Sequence, residues 1–235
     1  MHMASEFRRG FTALLPVAAS VAVYGSVLGV LAAQKGLDWL DILYMDLAVF
    51  AGSAQFVMVE MWGERLPVLE MAAAVLVINL RYLLVGASLA PLFQGQPLWR
   101  KLGVIHLVAD ENWAVTMAEM RRGRGTVMFL LGGGVCLIGI WTLGTVVGVL
   151  GGSLIAHPEE YALDFAFTAV FTALTVGLWR GKRDCLPWLV AAVLAVLAEP
   201  WLPGKWYIVI GGIGGAIAAM LQPESTQEAA HATSR

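Results

Sequence analysis

Residues 126–150 read TVMFLLGGGVCLIGIWTLGTVVGVL, and from Thr126 to Leu150 no side chain carries a charge. About 20 apolar residues wound as helix match the hydrocarbon thickness of a bilayer. A strand of that length is far beyond the usual range. Gly144 and Gly148, with Gly152 beyond, recur every fourth residue. That spacing lines small residues along one face, where a second backbone can approach closely. The stretch is a transmembrane helix carrying a packing ridge, and Gly211-Gly212 with Gly214-Gly215 is read as a second ridge.

The same composition repeats outward in both directions. Apolar runs at Phe11–Gln34, Ile42–Met61, Val68–Ala90 and a weaker Val104–Met120 precede it, and Tyr161–Trp179, Leu186–Ala198 and Trp206–Leu221 follow. The fold class expected is an all-α integral membrane protein, a polytopic bundle of about eight transmembrane helices, some of them broken. Seven is the alternative count, if Leu186–Ala198 is re-entrant. Over the 235 residues, hydrophobic types make up 59% and charged types 14%, where a soluble domain carries about 25% charged residues. A chain of this length has too little interior to hide that much apolar surface from water. The net charge of −2 offers no basic excess for a phosphate backbone, which excludes nucleic acid as a partner. No Walker loop, metal-ligand spacing or nucleophile with a base is found, so neither an enzyme nor a cofactor is expected. Cys136 and Cys185 are read as small apolar fillers.

Basic residues give the orientation. With a cytoplasmic N-terminus, the inner segments hold Arg8, Arg9, Arg65, Arg121, Arg122, Arg124, Arg180, Lys182, Arg183 and Arg235. The outer ones hold only Lys35, Arg100, Lys101 and Lys205. Both termini are therefore expected on the cytoplasmic side. The division expected is residues 1–10 as a cytoplasmic segment, 11–222 as the transmembrane domain, and 223–235 as a disordered cytoplasmic tail. Arg8-Arg9 before an apolar run imitates an export signal, but further apolar runs follow and no cleavage is expected.

Ionisable groups inside apolar runs are costly, and that cost marks them as candidates for function. The runs contain Asp46, Glu60, Glu70, Arg81, Asp110, Glu111 and Asp164, with Asn79 and Asn112 among them. Glu60 and Glu70 are read as reaching water, and Asp46, about one turn into its run, as reaching back to the interface. Gly52, Ser53 and Gln55 lie in Phe50-Ala51-Gly52-Ser53-Ala54-Gln55-Phe56. Small residues here allow either a tight helix contact or a broken helix whose freed amides face an anion. Asn79 and Arg81 are two residues apart, about 200° around a helix, and share a face only if the helix is interrupted. Asp110 and Glu111 are the natural counter-charges for Arg81, either in a structural ion pair or at a ligand site. Asp164, Thr168 and Thr172, with Thr175, form one polar stripe at helical spacing, a candidate proton or polar pathway.

These segments carry a resemblance. Phe50–Phe56 is similar to an FAGSAQF-like segment of the AzlC family, the large subunits of two-component branched-chain amino acid exporters. Asn79-Leu80-Arg81 with Gly86-Ala87-Ser88-Leu89, Asp110-Glu111 with Ala114, and Leu163-Asp164-Phe165-Ala166 with Ala169 and Phe171 resemble three further family motifs, in the same order. The resemblance covers about Gly10 to Ala198. Tyr82, Val85, Ala109 and Thr168 stand where the family commonly has His, Tyr, Thr and Pro. The resemblance implies a bacterial inner-membrane exporter of branched-chain or other small apolar amino acids, working with a small AzlD-like membrane subunit. The absence of a nucleotide site points to the proton gradient as its driving force. On that reading Arg81, or amides freed near Gly52-Ser53, receive the substrate carboxylate. Asp110 or Glu111 takes the ammonium group or a proton, and Asn79 and Gln55 orient the ligand. The alternatives are a scaffold subunit that binds a partner without transporting, and a channel-like pathway.

Overall fold

Every regular element among the described residues is helical, as a chain must be whose backbone groups are satisfied within each segment in lipid. The computed structural model describes residues 2–63, 65–155, 166–179, 181–202 and 206–222. Its helices are α1 (His2–Gln34), α2 (Trp39–Ala48), α3 (Gly52–Glu60), α4 (Val68–Asn79), α5 (Arg81–Leu89), α6 (Leu98–Ile105), α7 (Asp110–Arg121), α8 (Val127–Gly152), α9 (Ala166–Leu178), α10 (Cys185–Ala198) and α11 (Trp206–Met220). They divide between two units: Met1–Leu66 with Ile78–Val170, and Pro67–Val77 with Phe171–Arg235.

The first unit is built on α1 against α8. The ridge read from the sequence faces α1: a methyl added at Gly152 would meet the Cα of Val30 at 2.8 Å, and one at Gly148 the Cα of Ser26 at 2.8 Å. Glycines of α1 answer from the other side, Gly25 against the Trp141 carbonyl oxygen at 2.9 Å and Gly29 against the Cα of Gly148 at 2.8 Å. Backbone therefore lies on backbone along most of the pair, which gives dense dispersion contact where lipid offers no hydrophobic drive between helices. Helix α1 stops where Gly36 takes the left-handed φ of 79° and the Leu37 amide bonds back to the Ala32 carbonyl at 3.1 Å. Asp38 then starts α2, accepting from the amides of Leu40 and Asp41 while the Asp41 carboxylate accepts from the Asp38 amide.

The runs at Ile42–Met61, Val68–Ala90 and Val104–Met120 are each interrupted. The first breaks into α2 and α3 across Val49–Ala51, with Ala51 extended at φ −151°. The second breaks into α4 and α5 at Leu80, and the third changes from α6 to α7 across residues 106–109. Helix α5, the turn Ala90–Phe93, α6 and α8 share one apolar cluster of Val85, Leu89, Phe93, Val104, Val108, Val127 and Leu130. Three helical stretches, Met3–Gln34, Val127–Gly152 and Lys182–Trp201, are long and apolar enough to cross a membrane, and α4 with α5 adds a fourth if taken as one broken span. The expected eight or seven crossings thus do not each correspond to an unbroken long helix among the described residues. Lys182–Trp201 reaches crossing length only because its short turns, Lys182–Asp184 and Glu199–Trp201, extend α10.

In the second unit α10 packs on α11 through the second glycine ridge. A methyl at Gly211 would lie 2.9 Å from the Ala191 carbonyl oxygen, and one at Gly215 2.9 Å from the Ala191 Cβ. Trp179 meets Trp188 edge-on at 5.0 Å. No residue of α10 is fully buried. The tail 223–235 lies outside the described residues.

Candidate functional site

Arg81 is the first residue after the break at Leu80, and Asn79 is the last residue before it. Its Nη1 donates to Asp110 Oδ2 at 2.8 Å and its Nη2 to Ser53 Oγ at 2.9 Å. Ser53 lies in the first turn of α3, Arg81 opens α5 and Asp110 opens α7. One guanidinium thus joins three helix N-termini. The first amides of α3 have no carbonyl a turn earlier to bond to, and Ala51 before them brings no capping side chain. Asp110 brings negative charge to the positive end of α7, the sign a helix N-terminus prefers.

The pair is accessible: the Arg81 side chain is 34% exposed and that of Asp110 47%. It is not a sealed core ion pair. Beside it, Arg81 Nε and Asn79 Oδ1 are buried with no hydrogen-bond partner. A buried polar atom without a partner costs about 1–3 kcal/mol. The Arg81 guanidinium also lies 5.2 Å from the centre of the Tyr82 ring. Glu111, next to Asp110, is exposed and forms no ion pair among the described residues.

Gln55 belongs to a different cluster. Asp46 and Gln55 are both 0% exposed. Gln55 Nε2 donates to Asp46 Oδ1 at 2.9 Å, Trp141 Nε1 to the same oxygen at 3.0 Å and to Gln55 Oε1 at 2.8 Å, and Thr145 Oγ1 to Asp46 Oδ2 at 2.6 Å. Gly52 lies under the Trp141 ring, and a methyl there would stand 2.9 Å from the ring and displace it from its hydrogen bonds. The reading of Asp46 as a side chain reaching back to the interface is corrected here. Its carboxylate turns inward because two donors of α8 and one of α3 wait there. Trp141 was the available signal: an indole deep in an apolar run needs an acceptor for its N–H, and Thr145 sits one turn on.

Asn112, named from the sequence among the polar groups of the apolar runs but given no role there, is 1% exposed. It accepts from the Ala109 amide at 2.8 Å and donates to the Leu107 carbonyl at 3.0 Å. It thereby holds the link before α7 that sets Asp110 opposite Arg81. Trp113 Nε1 donates to Ser88 Oγ at 2.8 Å, tying α7 to α5. Thr168 and Thr172 lie exposed on α9, and Asp164 falls outside the described residues. Among the described residues no group of His, Cys, Asp or Glu could hold a metal ion.

The family model described as AzlC protein matches residues 16–155, which include Ser53, Arg81 and Asp110. The branched-chain amino acid transport protein AzlC of Bacillus subtilis (strain 168) is 24% identical over 210 residues, covering 87% of this chain and 80% of that protein. The inner membrane protein YgaZ of Escherichia coli (strain K12) is 25% identical over 225 residues, 93% of this chain and 91% of its own length. A membrane protein of Archaeoglobus fulgidus is 30% identical over 192 residues, 78% of this chain and 82% of its own. No solved structure is a significant match.

Proposed function

The chain belongs to the AzlC protein family, and on that footing we propose that it is the large subunit of a two-component secondary transporter exporting branched-chain or other small apolar amino acids. The observation that carries the reading is the Arg81 bridge to Asp110 and Ser53 at three helix ends, accessible and flanked by two buried polar atoms without partners. An amino acid is a zwitterion. Its carboxylate suits the Arg81 fork, with the Gly52 and Ser53 amides of α3 adding donors. Its ammonium group suits Asp110, with Glu111 one residue on. Such a ligand exchanges one internal ion pair for two external ones and leaves no net charge behind, so entry and release stay close in free energy. Half-helix ends recur at carboxylate sites of secondary transporters for this reason.

The rest of the proposal follows from the same premise. The partner is a small AzlD-like membrane subunit, and the driving force is the proton gradient, with Thr168 and Thr172 of α9, and Asp164 before them, as a polar pathway. The chain lies in the bacterial inner membrane with both termini in the cytoplasm. The test is efflux of labelled valine, leucine and isoleucine from proteoliposomes holding the chain with its small partner. Arg81→Ala is expected to lower efflux by at least tenfold while the complex still assembles. Efflux unchanged in that variant removes Arg81 from the site, and no flux of any amino acid from the intact complex favours the scaffold alternative.

A further inference from the structure

Asp46 is a carboxyl group of α2 with no exposed surface and, among the described residues, no cation within ion-pair distance. Its surroundings are α1, α3 and α8. From α8 come Trp141 and Thr145, and from α3 Gln55. The titratable group that α1 brings to this cluster is Tyr24, whose ring lies 6.2 Å from that of Trp141 and 4.9 Å from that of Phe56, and whose buried hydroxyl has no partner, while Glu6, Arg8 and Arg9 lie near the start of that helix. On α2's other side, His106 Nε2 donates to the carbonyl of Leu47, the residue after Asp46. No charged side chain is bonded to the carboxyl.

Two of its hydrogen bonds are ambiguous in a useful way. Thr145 Oγ1 stands 2.6 Å from Asp46 Oδ2 and 3.0 Å from the Thr142 carbonyl oxygen, yet a hydroxyl has one hydrogen. With Asp46 ionised, that hydrogen lies toward Oδ2. With Asp46 neutral, the carboxyl O–H donates to Thr145 Oγ1 and the threonine hydrogen turns to Thr142. Both states are fully bonded, and no heavy atom moves. The Trp141 Nε1–H is likewise shared between Asp46 Oδ1 and Gln55 Oε1. Neutralising Asp46 makes Oδ1 the poorer acceptor and passes the hydrogen to Gln55 on α3. Ser53 of that same helix holds Arg81.

We propose that Asp46 is a reversible proton-binding site, with Thr145 as its switching partner, and that its proton alters the hold of α8 on α3 behind the Arg81 site. Only the last step, coupling to substrate, rests on the transport reading. The same heavy atoms accommodate both forms: the ionised carboxylate accepts from three donors, and the neutral carboxyl finds an acceptor in Thr145 Oγ1.

The test is infrared difference spectroscopy between acid and alkaline pH, on the full chain in lipid nanodiscs. A carboxyl C=O band that vanishes as pH rises is expected in the parent protein and absent in Asp46→Asn. Thr145→Val is expected to move the midpoint of that band by about one pH unit, the size of one hydrogen bond to a charged group, and Thr145→Ser to restore it. Difference spectra unchanged in Asp46→Asn overturn the site, and a midpoint unmoved in Thr145→Val overturns the switch. In proteoliposomes of the complex, Asp46→Asn is expected to lower the ratio of proton-driven efflux to amino acid exchange by at least tenfold, and an unchanged ratio overturns the coupling. Absence of any flux in the parent complex overturns the transport reading alone, while the infrared bands still decide whether Asp46 binds a proton.

Discussion

Replacing Arg81 by lysine keeps the charge and removes the fork. Its two terminal nitrogens reach different helices, Asp110 on α7 and Ser53 on α3, and a single ammonium on a flexible stem cannot hold both in that geometry. Arg81→Lys is therefore expected to retain assembly with the partner and to lower valine efflux by about tenfold, the worth of one hydrogen bond to a charged group. Efflux at the parent rate would show that charge alone suffices. The pairing of Arg81 with Asp110 was legible from the cost of charge in apolar runs, and Ser53 from its small-residue segment. Gln55 was not separable from that site on sequence grounds, and Asp46 was read as reaching the interface rather than as its partner. Their partners, Trp141 and Thr145, lie more than eighty residues away on α8, and no local spacing announces a contact of that range. Asn79 lies at the end of α4 with its Oδ1 unbonded, and Glu111 points to the exterior, so neither is drawn into the bridge.

Between helices, glycine placement decides which faces touch. Gly148 and Gly139 share α8, but a methyl at Gly148 would lie 2.8 Å from the Cα of Ser26, whereas one at Gly139 meets nothing within 4 Å. Gly148→Ala is expected to lower stability by about 2 kcal/mol, as overpacked sites do, and Gly139→Ala to leave it unchanged or raise it, since alanine is the better helix former. Thermal unfolding of the two variants in the same detergent checks both signs. The four-residue spacing of Gly144, Gly148 and Gly152 made this face readable, and so did the pairs in α11. The helix breaks were half readable. Small residues at Gly52-Ser53 announced an interruption, and the structure sets it slightly earlier, across Val49–Ala51. Leu80 carried no signal of its own, because leucine is a good helix former. Only the awkward spacing of Asn79 and Arg81 hinted that the helix stops there.

At the scale of the chain, the two cysteines serve as reporters of orientation. Cys136 is buried and Cys185 exposed, the latter opening α10 just after the charged turn Lys182–Asp184. On the proposed topology, with both termini cytoplasmic, that turn faces inward. A membrane-impermeant maleimide is expected to label Cys185 in inside-out vesicles and not in right-side-out ones, with Cys136 silent in both. Labelling with the reverse sidedness would invert the topology. Membrane character was the most legible property of all, because it follows from composition. The number of crossings was not, since hydropathy counts apolar residues whether or not a helix runs through them unbroken. A further consequence lies in the order of synthesis. The glycine face of α1 at Gly25 and Gly29 is completed by Trp141, Thr145, Gly148 and Val149, made more than a hundred residues later. A nascent chain must hold its first helix in the bilayer unmated until the ribosome has passed α8. Any fragment released before that point leaves a bare glycine strip for the cell's quality-control machinery to find.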